Sequence, residues 1–262
     1  MKFGLNVPVE QAAVAVRAGW DFTEDVVVDL LQAEVSDAAW RGLERARRSP
    51  LPIPAANRLL PPTLKVTGPD VDSAALRRYM SIIARRAQAI GINILVFGSG
   101  PARSIPDGFD RARARDQILD FCRMAADLCA ERDVTLVVEP MHRGESNIIN
   151  GVAEAMEYVR AVNHPNFQCL ADSYHSWLEH EPIGDIERAM RSIRHVHVAD
   201  VEGRRSPGET GKHDYRAFFA ALRRGGYDGV ITVESTDLQQ LPDGAAKVLE
   251  FLRKQWELAE PV

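Results

Sequence analysis

Short apolar, β-branched runs alternate with helix-spaced segments along the whole of this chain, and that alternation limits what it can fold into. The candidate strands are Lys2–Asn6, Phe22–Val28, Ile53–Asn57, Ile92–Gly98, Val134–Glu139, Phe167–Asp172, Ile193–Ala199 and Gly229–Glu234. Between them, apolar residues recur at helical spacing over Ser73–Ala89, Arg111–Arg132, Val152–Val162, Asp214–Arg224 and Gly244–Trp256. Strands that alternate with helices form parallel sheets, because a parallel pair needs a long crossover. Eight such strands in 262 residues suit a closed (β/α)8 barrel, a fold of about 250 residues. A doubly wound open sheet would carry a Gly-rich turn after its first strand, and none follows Lys2–Asn6. Gly98-Ser-Gly100-Pro-Ala-Arg103 opens like a dinucleotide loop but has Arg103 where the third glycine belongs, so it reads as a mobile loop over a site.

Composition narrows the class further. A hydrophobic fraction of 45% and a charged fraction of 26% are those of a globular chain with a sizeable core. No apolar stretch approaches the ~18 residues of a spanning helix, and the N-terminus lacks the apolar segment of a secretory signal. Cys122, Cys129 and Cys169 read as buried thiols in a reducing cytoplasm. A net charge of −5 with scattered arginines argues against a nucleic-acid partner. Ser49–Gly68 holds five prolines, which predicts a strand running into a long loop across the barrel mouth. No linker or repeat divides the chain, so residues 1–262 are expected to form one domain.

Four polar residues stand at or near the carboxyl ends of the last four strands: Glu139, Asp172, His197 and Glu234. Consecutive members are separated by the length of one β/α repeat, and barrel active sites lie at that face. Any one of them could be a strand-end polar group, and Asp172 could be a helix cap. Three carboxylates meeting in register would repel, and one would hold a proton near neutrality. A divalent cation removes that conflict. The mixed O/N set suits Mn²⁺, Mg²⁺, Co²⁺ or Zn²⁺, and the absence of thiolates argues against a structural zinc cage.

The chain resembles the xylose isomerase-like TIM barrels, which include ketose 3-epimerases, hydroxypyruvate isomerases, inosose dehydratases and, more distantly, repair endonucleases. The motifs that carry the resemblance are Glu139-Pro-Met-His-Arg-Gly-Glu145, Asp172-Ser-Tyr-His175, His195-Val-His197-Val-Ala-Asp200, Arg204-Arg-Ser-Pro207-Gly208 and the terminal Glu234. It implies that Glu139, Asp172, His197 and Glu234 bind one divalent metal ion. It also implies that Glu139 and Glu234 form an acid/base pair, and that Glu145, His175 and Arg204 grip substrate oxygens. Histidine at position 197, where the hydroxypyruvate isomerases have glutamine, leans toward the epimerases.

The expected activity is therefore isomerisation or epimerisation of a small sugar or hydroxy-ketone by proton abstraction next to a carbonyl, through an enediolate. The alternative is a lyase or dehydratase that uses the same enolisation to expel a leaving group. A repair nuclease is disfavoured, because strand four ends without histidine and no Asp-x-His lies near His213. A non-catalytic sugar-binding barrel is disfavoured by the intact Glu139 and Glu234. Asn6, Glu24 and Arg103 are expected to face the same mouth and touch substrate. His195 reads as a core histidine one layer below His197, and Trp20 and Trp177 as core or interface filler. Such barrels are commonly homodimers or tetramers, and this sequence shows no decisive interface stripe.

Overall fold

Eight parallel strands pair in chain order and close on themselves, β1 joining β8, to make a barrel. The computed structural model describes residues 1–237 and 244–259. The strands are β1 (Lys2–Asn6), β2 (Phe22–Val26), β3 (Ala55–Asn57), β4 (Ile94–Phe97), β5 (Thr135–Val138), β6 (Phe167–Asp172), β7 (Ile193–Val198) and β8 (Val230–Val233). All eight expected strands are present, several a residue or two shorter than the apolar run. β3 is cut to three residues because Pro52 and Pro54 cannot donate to a ladder.

Three of the long helices start where a side chain satisfies a free amide. Asp72, Asp110 and Asp214 accept from the third residue onward at the heads of Ser73–Ile90, Arg111–Ala130 and Tyr215–Arg224. Gly91, at φ +94°, ends the first of these in the left-handed region. Cys122, Cys129 and Cys169 are buried free thiols. Trp20 is buried with its indole N–H on Ala245 O, and Trp177 stacks on His213. Among the described residues no helix is long and apolar enough to cross a membrane.

Strand alternation sorts side chains into two layers. Phe3, Leu5, Ala56, Leu95, Phe97, Leu136, Val138, Val196, Val198, Ile231 and Val233 face the helices and form the main core. The opposite set points into the barrel, where Val96, Val137 and Leu170 make a small separate cluster. Gly4 also faces inward; a Cβ there would meet the Phe22 ring at 2.2 Å, so the glycine lets that ring fill the floor. At the carboxyl end the inward positions turn polar in nearly every strand: Asn6, Asn57, Glu139, Asp172, His197 and Glu234. The Pro-rich segment after β3 has no helix before Ser73, as expected, and packs on the turn after β4 through Leu60 N–H to Ser99 Oγ and Val66 N–H to Ala102 O.

Candidate active site

Glu139, Asp172, His197 and Glu234 each offer one ligand atom, and these atoms lie within 4.8 Å of one another. His197 is the hub: its Nδ1 is 3.2 Å from Glu139 Oε1 and 3.2 Å from Glu234 Oε2. Asp172 does two jobs with its two oxygens. Oδ1 caps the helix Ser173–Leu178 by accepting from Tyr174 N–H at 2.8 Å. Oδ2 is buried with no hydrogen-bond partner among the described residues. Burial and the neighbouring carboxylates push the Asp172 pKa up despite the nearby Arg204 charge. A buried acceptor aimed into a set of three carboxylates and one imidazole fits a divalent cation, so the residues present suit such a group.

Arg204 spans the mouth. Its guanidinium lies 2.5 Å from Glu234 Oε2, 3.5 Å from Asp172 Oδ2 and 3.6 Å from Glu145 Oε1, over the Tyr174 ring at 4.6 Å. Burial alone would raise the Glu234 pKa, but Arg204 and the His197 hydrogen bond together hold it down. Arg204 sits at φ +49°, a position kept by the loop around it. That loop is organised by buried Asp200, which accepts from Gly208 N–H, Thr210 N–H, Thr210 Oγ1 and Tyr215 OH. His175 is buried beside Asp172, accepts His142 N–H at 3.1 Å and stacks on the His142 ring at 5.1 Å. Burial, aided by the Arg204 charge, pulls the His175 pKa down to about 2, so the ring is neutral. A cavity of about 380 Å³ opens beside Glu234, between Asn6, Val26, Asp29, Arg58 and Arg204. That volume suits a small ligand.

Of the expected mouth residues, Asn6, Glu145, His175 and Arg204 lie at or beside this cluster. Glu24 does not contact the mouth: it is fully buried, and its carboxylate reaches His195 Nε2 at 2.8 Å and His197 Nε2 at 3.0 Å. Burial would raise its pKa, but the two imidazoles outweigh that and hold it low. Against β3, Glu24 pairs with Ala55, two residues below the level of Asn57. Arg103 is likewise no mouth residue. It is wholly buried and donates to Phe97 O at 2.9 Å and Glu139 O at 2.7 Å, holding two strand ends together.

The Gly98–Arg103 segment is a packed turn rather than an open flap. A Cβ on Gly98 would lie 2.1 Å from Glu139 Oε2, so the glycine makes room for the carboxylate. His195 is the buried core histidine expected. Asn57 was missed by the sequence reading: its Nδ2 donates to Glu234 Oε1 at 2.7 Å. Alternation along β3 could have flagged it. The roles of Asp200 as loop anchor and Tyr174 as the face beneath Arg204 had no local signal.

A closed barrel with a carboxylate–imidazole donor set on its C-terminal mouth defines the class. The chain belongs to the xylose isomerase-like TIM barrel family, whose model matches residues 12–255. It is 31% identical over 132 residues to the ketose 3-epimerase of Arthrobacter globiformis, covering 50% of this chain and 45% of that one. It is 27% identical over 252 residues to the L-ribulose 3-epimerase of Methylomonas sp. (strain DH-1), covering 93% of this chain and 84% of that one. A crystal structure of D-psicose 3-epimerase in the presence of D-fructose superposes with a TM-score of 0.84 at 19% identity, over 98% of this chain and 99% of that one. At that identity the likeness bears on the fold.

Proposed function

We propose that this protein is a divalent-metal-dependent sugar epimerase or isomerase, folded as one domain over residues 1–262 and working in the cytoplasm. The observation that carries the reading is the convergence of Glu139, Asp172, His197 and Glu234 within 4.8 Å, with one buried Asp172 oxygen left without a hydrogen bond. The names of the curated relatives, ketose 3-epimerase and L-ribulose 3-epimerase, support the activity class. The four residues would hold the ion (Mn²⁺, Mg²⁺, Co²⁺ or Zn²⁺). Bound there, it would engage a substrate carbonyl oxygen and neighbouring hydroxyl and offset the negative charge that develops on them.

The chain's own residues do the proton transfer. Glu139 and Glu234 approach the cluster from β5 and β8. One carboxylate takes the proton from the carbon next to the carbonyl, leaving an enediolate, and the other acid returns a proton to the opposite face. The configuration at that carbon inverts, and exchange with solvent resets the pair. A single glutamate acting on one face would instead move the proton between neighbouring carbons. Arg204, Glu145 and His175 are placed to hold substrate oxygens, with Asn6 at the cavity wall. The cavity and the relatives' names fit a small sugar.

The test is a panel of ketoses, aldoses and hydroxy-ketones in D₂O, with each metal in turn, followed by proton NMR. Deuterium at a single carbon together with an epimeric or isomeric product is expected. Loss of a β-substituent would replace the reading with the lyase. No exchange at carbon with any substrate would remove it.

A further inference from the structure

Glu24 is the feature of the barrel interior that the proposed reaction leaves unused. Its carboxylate is fully buried, and its side-chain hydrogen bonds among the described residues run to imidazole nitrogens. A buried ionised carboxylate is only an acceptor, so each ring must place a hydrogen on the nitrogen facing it. For His197 that nitrogen is Nε2, at 3.0 Å from Glu24 Oε1. For His195 it is also Nε2, at 2.8 Å from Glu24 Oε2, with Thr232 Oγ1 at 3.4 Å from the same nitrogen. The other nitrogen of His197, Nδ1, faces Glu139 and Glu234, each at 3.2 Å, and by the same rule carries a hydrogen there unless a cation takes its place.

We propose that Glu24 is a positioning residue that fixes the hydrogen of His197 on Nε2 and so turns the Nδ1 lone pair toward a cation held with Glu139, Asp172 and Glu234. This rests on the metal reading above. His195 steadies the carboxylate from below, and β2, which supplies no ligand of its own, sets the orientation of the ligand on β7. The acceptor matters: Oε2 lies 2.8 Å from His195 Nε2 and 3.2 Å from His197 Nε2, so glutamine could still accept from His197, whereas leucine at position 24 offers neither ring an acceptor. Carboxylates placed behind a ligating histidine in this way typically support metal affinity by 10- to 100-fold.

Two measurements test it. Metal-free wild type and Glu24→Leu are titrated with Mn²⁺ by calorimetry, with circular dichroism as the check that both are folded. A 10- to 100-fold weaker affinity with unchanged stoichiometry is expected. Equal affinity overturns the role of Glu24 and leaves the metal reading standing, whereas no binding by wild type overturns both. The second needs no variant at Glu24. In ¹⁵N-labelled wild type loaded with Zn²⁺, the His197 resonances, assigned with His197→Asn, should show a solvent-protected, downfield hydrogen on Nε2. A hydrogen on Nδ1 overturns the proposal.

Discussion

The two halves of the barrel end differently at the mouth. β5 to β8 finish in Glu139, Asp172, His197 and Glu234, the groups whose ligand atoms converge. β2 to β4 and the turn after them supply Glu24, Asn57 and Gly98, which touch those groups or make room for them. Asn57 bonds Glu234, Glu24 bonds His197, and Gly98 clears space for Glu139. The contrast has a physical origin. Three carboxylates cannot orient one another, because they repel and have no hydrogens to share. The Asn57 amide, the Glu24 carboxylate and the space at Gly98 come from strands that offer no ligand, and Arg204 on the loop after β7 adds a cation. One half offers charge; the other sets its direction.

The largest effect expected is in the charged half. Glu139→Gln and Glu234→Gln should each lower turnover by about 10²–10⁴-fold or more, with the barrel's circular dichroism unchanged. Near-normal turnover in either variant would break the division of labour.

Removal of divalent ions comes next. A chelator should abolish activity, and Mn²⁺, Mg²⁺ or Co²⁺ should restore it. The added ion should also raise thermal stability, by about 2.7 kcal/mol at a free concentration a hundred times its Kd. Full activity in metal-depleted protein would show that the convergence serves another purpose.

The supporting half should respond less. Asn57→Ala removes one hydrogen bond to a charged carboxylate, worth about 1.5 kcal/mol, so kcat/KM should fall about tenfold with metal affinity nearly kept. Loss equal to that of Glu234→Gln would erase the distinction between halves.

Arg103→Met tests the seam between them. It leaves Glu139 O without its donor in a buried place and Phe97 O with only the Glu139 N–H, and should cost about 1–3 kcal/mol of stability, read by denaturant unfolding.

The smallest effect lies outside the mouth. Burial raises the Glu181 pKa above its ordinary value, against the hydrogen bonds from Ser176 and Val152. Its folded form therefore holds a proton more tightly than the unfolded chain does. The contribution is fully present below the ordinary carboxylate pKa of about 4.5 and is lost as pH rises through the higher folded value. Glu181→Gln should flatten that part of the stability–pH curve; an unchanged slope would remove Glu181 as its source.

The same division decided what could be read from the chain. In β5, β6 and β8 a mostly apolar run leads into a carboxylate, so the end of the strand and the face of the side chain are both local facts, and in β7 His197 stands one residue from the strand end. Asp172 was legible as a cap and as a ligand, and it is placed for both, because its two oxygens point different ways. In β3 the run is short and set among Pro52 and Pro54, and Asn57 at its end was not flagged. Glu24 was assigned to the right face and the wrong depth. Alternation tells which way a side chain points, whereas depth depends on the stagger of each strand against its neighbours. Arg103 failed for a related reason: its position in a loop after β4 is local, but the carbonyls that draw it inward belong to β4, the end of β5 and Ile149.

The sequence by itself determined the alternating architecture, the closure into eight strands and the four groups at the ends of the last four. Periodicity, caps and strand ends are properties of neighbouring residues. The tertiary structure alone decided which polar groups face the mouth and which stand behind them. That choice turns on hydrogen bonds between residues far apart in the chain, such as Glu24 with His197 and Asn57 with Glu234, whose lengths follow from strand stagger and from no local pattern.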